Sequence, residues 1–124
     1  MTMKACRVIA LSALLATWLT GAAWSQMQLP KGLQGMIPDY PKANIVFSKD
    51  WDNSSQAILE TDDDPRAVMV FYRKSMIYRG WSILTGMELE TGVSLVFSKG
   101  DTRLQIMSKT SKEKNTTILV SIHR

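Results

Sequence analysis

The stretch DDDPRAVMVFYRKSMIYRGW, residues 62–81, reads as a single capped helix with strands on either side. Asp64 takes the N-cap position and Pro65 the first helical position. The proline ring has no N–H to leave unpaired there, and it biases Asp64 toward the extended backbone that an N-cap needs. Asp62 and Asp63 bring negative charge to the positive end of the helix dipole. At the far end Arg79 meets the negative pole, and Gly80 is free to enter the left-handed conformation that stops a helix. Closure in a Schellman motif would fold Trp81 back onto Met76. At about 100° per residue, Val68, Phe71, Tyr72, Ser75 and Met76 share one face, which is read as the core contact. Val70 and Ile77 lie on the opposite side, flanked by Arg66 and Arg73. This second apolar stripe makes Val70, Ile77, Arg66 and Arg73 the candidate partner-binding residues. Two isolated exposed aliphatics are the alternative reading.

Downstream of the helix, residues 81–87 read as a strand with Trp81, Ile83 and Thr85 on one face. The loop 88–92 follows. Residues 93–99 alternate, with Val93, Leu95 and Phe97 pointing one way, and Lys99-Gly100-Asp101 is a hairpin connection. Residues 102–109 place Leu104 and Ile106 inward, and 116–123 align Ile118, Val120 and Ile122. Upstream, 44–49 and 55–61 read as two more strands around the turn cluster at 51–54. One amphipathic helix among half-buried alternating strands gives an α+β domain of two layers. A mainly antiparallel sheet is covered on one face by the helix, in the order ββαββββ.

Residues 38–124 are assigned to this domain and residues 26–37 to a flexible lead-in. Pro38 and Pro41 bracket Tyr40 and hold it extended. Residues 1–25 have the layout of a signal peptide. Lys4 and Arg7 form a basic start, residues 8–19 an apolar run too short to span a bilayer, and Ala23-Trp24-Ser25 a cleavage site before Gln26. The expected location is therefore periplasmic or secreted, with no integral membrane span after cleavage. Taking Lys4 and Arg7 from the 15 Lys and Arg leaves 13 against 11 acidic residues, a net charge of +2. That balance argues against nucleic acid as a partner. The single cysteine, Cys6, falls in the leader, so the mature chain has no disulfide and no thiol chemistry.

One further set of residues carries a resemblance: Pro38, Pro41, Ala43, Asp64-Pro65, Phe71-Tyr72, Gly80-Trp81, Phe97, Lys99 and Gly100. Residues 38–122 resemble a group of small exported bacterial domains of unknown function. In that group a helix begins at Ser/Asp-Pro, carries Phe-Tyr, ends at Gly-Trp and is followed by a Phe-x-Lys-Gly hairpin. The resemblance implies the fold and export, and transfers no catalytic residue. Many members carry a lipoprotein cysteine after the apolar run. Its absence here favours a soluble periplasmic form.

The residues offer little chemistry. His123, the sole histidine, lies one residue from the C-terminus, and no Gly-x-Ser-x-Gly nucleophile motif is present. Three consecutive aspartates before a proline suit a helix cap better than a calcium loop, whose oxygens are spaced along a glycine-containing turn. Glu88 and Glu90 read as a solvated loop pair, and the methionines are scattered at no ligand-like spacing. The expectation is no enzyme, no cofactor and no metal. The leading function is a module binding an envelope protein or component. The alternative is a carrier that grips a small apolar ligand between helix and sheet, with Tyr40, Trp51, Tyr78 and Trp81 as candidate walls.

Overall fold

In the computed structural model, which describes residues 27–124, the 62–81 stretch forms helix α1, Pro65–Tyr78. The expected signal peptide lies outside the described residues. Around α1 run β1 Asn44–Asp50, β2 Ser54–Thr61, β3 Ser82–Glu88, β4 Gly92–Lys99, β5 Thr102–Thr110 and β6 Thr116–His123. The two-layer α+β class and the order ββαββββ are those read from the sequence. All strand pairings are antiparallel, in the sheet order β1-β2-β6-β5-β4-β3. After β2 the chain crosses through α1 to the far edge of the sheet. It then meanders back until β6 closes onto β2.

The end of α1 follows from its residues. Gly80 sits at φ +95°. Its N–H bonds the Ile77 carbonyl at 3.0 Å, and the Trp81 N–H bonds the Met76 carbonyl at 3.0 Å. These are the two bonds of a Schellman motif, and Met76 and Trp81 are both buried, as the motif's apolar contact requires. Lys99 completes this end: its Nζ donates to the Arg79 carbonyl at 2.9 Å and lies 5.9 Å from the centre of the Trp81 ring. Arg79 itself reaches away to the Gly35 carbonyl. The start of the helix departs from expectation. Asp64 has the extended backbone of an N-cap, but its carboxylate makes no capping hydrogen bond.

The inner face of the sheet is built from cross-strand rows in register. Ala57, Val120, Ile106 and Leu95 form one row, and Ser55, Ile122, Leu104 and Phe97 the next. α1 lies over β5, β4 and β3. This off-centre seat turns its buried stripe to Val68, Met69, Tyr72 and Met76, and leaves Phe71 and Ser75 half-buried. In β3 the expected face of Trp81, Ile83 and Thr85 is broken. Ile83 pairs with Phe97 on the core side, whereas Thr85 pairs with Val96 on the outer side. A bulge between them adds one residue and reverses the alternation. β1 is irregular in the same way between Ile45 and Phe47. These are the two edge strands, where a bulge obstructs pairing with another sheet.

The segment read as a flexible lead-in belongs to the core. Leu33 is 0% exposed and Ile37 3%, with Leu29, Met36, Tyr40 and Ala43 packed against the same cluster. Because α1 covers only the β3–β5 half of the inner face, residues 27–43 cover the rest. Asp50, at the end of β1, clamps them. Its carboxylate accepts hydrogen bonds from the N–H groups of Lys31 and Gly32, each at 2.9 Å, and from the Ser55 hydroxyl at 2.6 Å. The Ser55 bond, then the Gly32 bond, hold the Asp50 carboxyl below its ordinary value, so the clamp is charged at neutral pH. A Cβ at Gly32 would stand 2.0 Å from the Ser55 hydroxyl oxygen, so any other residue there must displace the Ser55 side chain from its bond to Asp50.

Candidate functional site

Two hollows flank the 27–43 segment where it crosses the β1–β2 side of the sheet. The first, about 620 Å³, has Ile45 and Leu59 on its sheet side and Leu29, Ile37 and Tyr40 along the segment, with the Asp39 carboxylate among them. The second, about 580 Å³, shares Met27, Leu29, Ile37, Asp39 and Ile45 with the first and extends to Arg79. Together they make one cleft partitioned by the segment. Pro38 and Pro41 keep the intervening chain extended. The Tyr40 carbonyl accepts from the Ala43 N–H at 3.2 Å, and the Lys42 carbonyl accepts from the Thr61 hydroxyl at 2.9 Å, which ties the cleft wall to β2.

Behind this wall stands an aromatic trio. Tyr40 is edge-on to Phe71, with ring centres 5.0 Å apart, and stacks on Tyr72 at 5.8 Å; Phe71 is edge-on to Tyr72. The Tyr40 hydroxyl donates to the Asp63 carboxylate at 2.5 Å. Burial, then the hydrogen bond and charge of Asp63, push the Tyr40 phenol up to about 12. Tyr72 is fully buried, and its hydroxyl has no hydrogen-bond partner among the described residues. Burial first, then the neighbouring Tyr40 and Asp39, hold its phenol far above the ordinary value. It stays protonated, and so remains a hydrogen-bond donor, throughout the neutral range.

The residues singled out in the sequence are only partly brought together. Arg66, Val70 and Arg73 line a shallow groove of about 200 Å³ between α1 and the β3–β4 hairpin, floored by Met69, Val93 and Leu95. Arg66 is paired there with Glu88 at 3.0 Å. Val70 and Ile77 are each about half exposed, but Ile77 lies outside the groove. Of the four aromatic residues considered for a ligand wall, Tyr40 alone lines the cleft. Trp51 is exposed at the β1–β2 turn, Tyr78 is 92% exposed, and Trp81 is buried beneath Lys99. The interface between helix and sheet, where a ligand was expected, is filled: Val68, Tyr72, Met76, Phe97 and Ile106 are all at 0% exposure. Leu29, Ile37 and Asp39 were not recognised from sequence, because proline- and glycine-punctuated chain carries no periodic signal. His123 is exposed at the end of β6. Among the described residues no group of three His, Cys, Asp or Glu side chains is placed to hold a metal ion, and no helix is long and apolar enough to cross a membrane.

A family description fits this architecture. The START domain-like family matches residues 43–116, from the threshold of β1 to the first residue of β6, over half of the chain. The chain belongs to the START domain-like family. The START domain-like span contains α1, Tyr72, and the Ile45 and Leu59 side of the cleft, whereas the wall formed by residues 27–42 precedes it. No curated protein and no solved structure matches the chain significantly.

Proposed function

We propose that this START domain-like protein is a non-enzymatic binding module whose cleft beside residues 27–43 takes a small neutral molecule with both an apolar body and polar groups. The observation that carries this reading is the cleft itself. At about 620 Å³ it falls within the roughly 300–1,000 Å³ typical of small-molecule sites, and it sets the apolar side chains of Leu29, Ile37, Ile45 and Leu59 within an accessible lining that is more polar than apolar. The family match supports a ligand-binding fold. The ligand sits beside the helix–sheet interface rather than inside it, because the helix face is already filled by the core. The module acts after export, with Gln26 as its first residue, and N-terminal sequencing of the protein from an envelope fraction checks this; retention of Met1 would overturn it.

The test uses two neutral fluorescent probes, 2-ethylnaphthalene and 2-acetylnaphthalene, titrated into the mature chain. Saturable binding is expected for the wild type. Ala43→Phe, at a residue that lines the cleft, should weaken both by on the order of tenfold, about 1.4 kcal/mol, with circular dichroism and melting confirming that the variant folds. Equal binding by the variant would place the probes elsewhere and remove the cleft reading.

A second reading is favoured by the α1–β3–β4 groove. Its apolar floor, the pairing of Arg66 with Glu88 and the freedom of Arg73 from any ion pair among the described residues fit a partner segment that joins an apolar side chain to a carboxylate. Crosslinking the mature chain in envelope extract should then capture a partner that Val70→Asp, in the groove, loses, and that Ile77→Asp, outside it, loses only if the contact extends along the whole outer helix face. Capture undiminished in both variants would rule out the outer helix face.

A further inference from the structure

Among the described residues, the buried polar side chains are satisfied with one exception. Ser55 donates to Asp50, Thr61 to the Lys42 carbonyl, Ser108 to the Pro65 carbonyl and Thr116 to the Asp63 carbonyl, and Ser94 accepts from Gln105. Among the described residues the Tyr72 hydroxyl alone has no partner. An unpaired buried hydroxyl is costly, and phenylalanine would fill the same space without that cost. The ring that carries it is packed against a residue of the cleft wall. The Tyr72 ring lies directly behind Tyr40, whose ring forms part of the cleft wall, with 5.8 Å between ring centres and 24° between planes.

Resting on the cleft-binding reading above, we propose that the Tyr72 hydroxyl is the polar anchor of the ligand site, donating a hydrogen bond to a neutral acceptor oxygen of the carbonyl or ether class. Tyr40 is the partition between cleft and anchor. It is half-buried, sits in a segment with neither helix nor strand, and is tethered through its hydroxyl to Asp63. Access to Tyr72 requires the Tyr40 side chain to swing aside, which gives up its hydrogen bond to Asp63 and its stacking on Tyr72. Two features select a neutral ligand. The Asp39 carboxylate in the cleft repels an anion, and a phenol that stays protonated offers a donor to an oxygen rather than a negative charge to a cation.

Tyr72→Phe tests this with the same two probes, which share an aromatic body and differ in one carbonyl. The variant should bind 2-acetylnaphthalene roughly three- to tenfold more weakly than the wild type and 2-ethylnaphthalene equally well. It should also melt at a higher temperature, since the unpaired hydroxyl is gone. Unchanged binding of both probes would overturn the anchor while leaving the cleft reading in place. Equal weakening of both would reassign Tyr72 to shape alone and also overturn the anchor. Failure of the wild type to bind either probe would overturn the cleft reading and the anchor together.

Discussion

Leu33→Ala should lower the unfolding free energy by roughly 2–5 kcal/mol, the usual cost of removing a fully buried leucine side chain. For a domain of about a hundred residues this is a fall in melting temperature of about 10 °C or more. The reasoning is geometric. Leu33 has no exposed surface, although it comes from a segment with neither helix nor strand. Its burial means that residues 27–43 are a structural layer over the half of the sheet that α1 leaves open. The Asp50 clamp holds Lys31 and Gly32 in place on the polar side of the same turn. Leu33→Ala should also reduce probe binding in the cleft, because Leu29 and Ile37 on either side of it form the wall. Urea unfolding followed by tryptophan fluorescence measures the first effect. A change below about 0.5 kcal/mol, the range of ordinary surface substitutions, would mean that the segment rests on the sheet without stabilising it.

Gly92→Ala should be of similar consequence, for a steric reason. Gly92 opens β4 opposite Lys109 of β5. A Cβ there would lie 1.8 Å from the Ser108 carbonyl oxygen and 2.7 Å from the Lys109 Cα. Both obstacles are backbone, so no side-chain rotation relieves the clash and the strands must separate. Overpacking of this kind costs about 1–3 kcal/mol, and a backbone clash belongs at the upper end. The β4–β5 ladder should loosen first, which amide exchange at Val93 and Ser108 would show as faster than in the wild type. Native stability and unchanged exchange in Gly92→Ala would disprove the close approach. Gly32→Ala meets a side-chain oxygen instead, which can turn away, and serves as the milder comparison.

The cleft and the outer helix face make separable demands on the molecule. The cleft depends on residues 27–43 staying docked, so Leu33→Ala affects it while the Val70 groove survives. The groove depends on the β3–β4 hairpin and α1, so Gly92→Ala affects it first. Binding data on these two variants therefore distinguish the two functional readings without knowledge of the natural ligand or partner.

The ends of α1, the number and order of strands and the inward faces of β4, β5 and β6 were all legible in the sequence. They rest on local chemistry: a proline after a would-be cap, a glycine able to take positive φ, a period of two between turn residues. Even Lys99 had a visible signal, as part of the Phe-x-Lys-Gly pattern, though its bond to the Arg79 carbonyl was not foreseen. Tertiary structure decided the rest. The bulge in β3 sends Thr85 to the outer face, and a single inserted residue leaves no mark on composition. Leu33 and Ile37 become core because α1 lies to one side of the sheet, and that seat is set by packing across the whole domain. The orphaned hydroxyl of Tyr72 is equally non-local. Sequence identifies Tyr72 as a core residue, but whether its oxygen finds a partner depends on which groups from other elements, such as Tyr40 thirty-odd residues upstream, are packed around it.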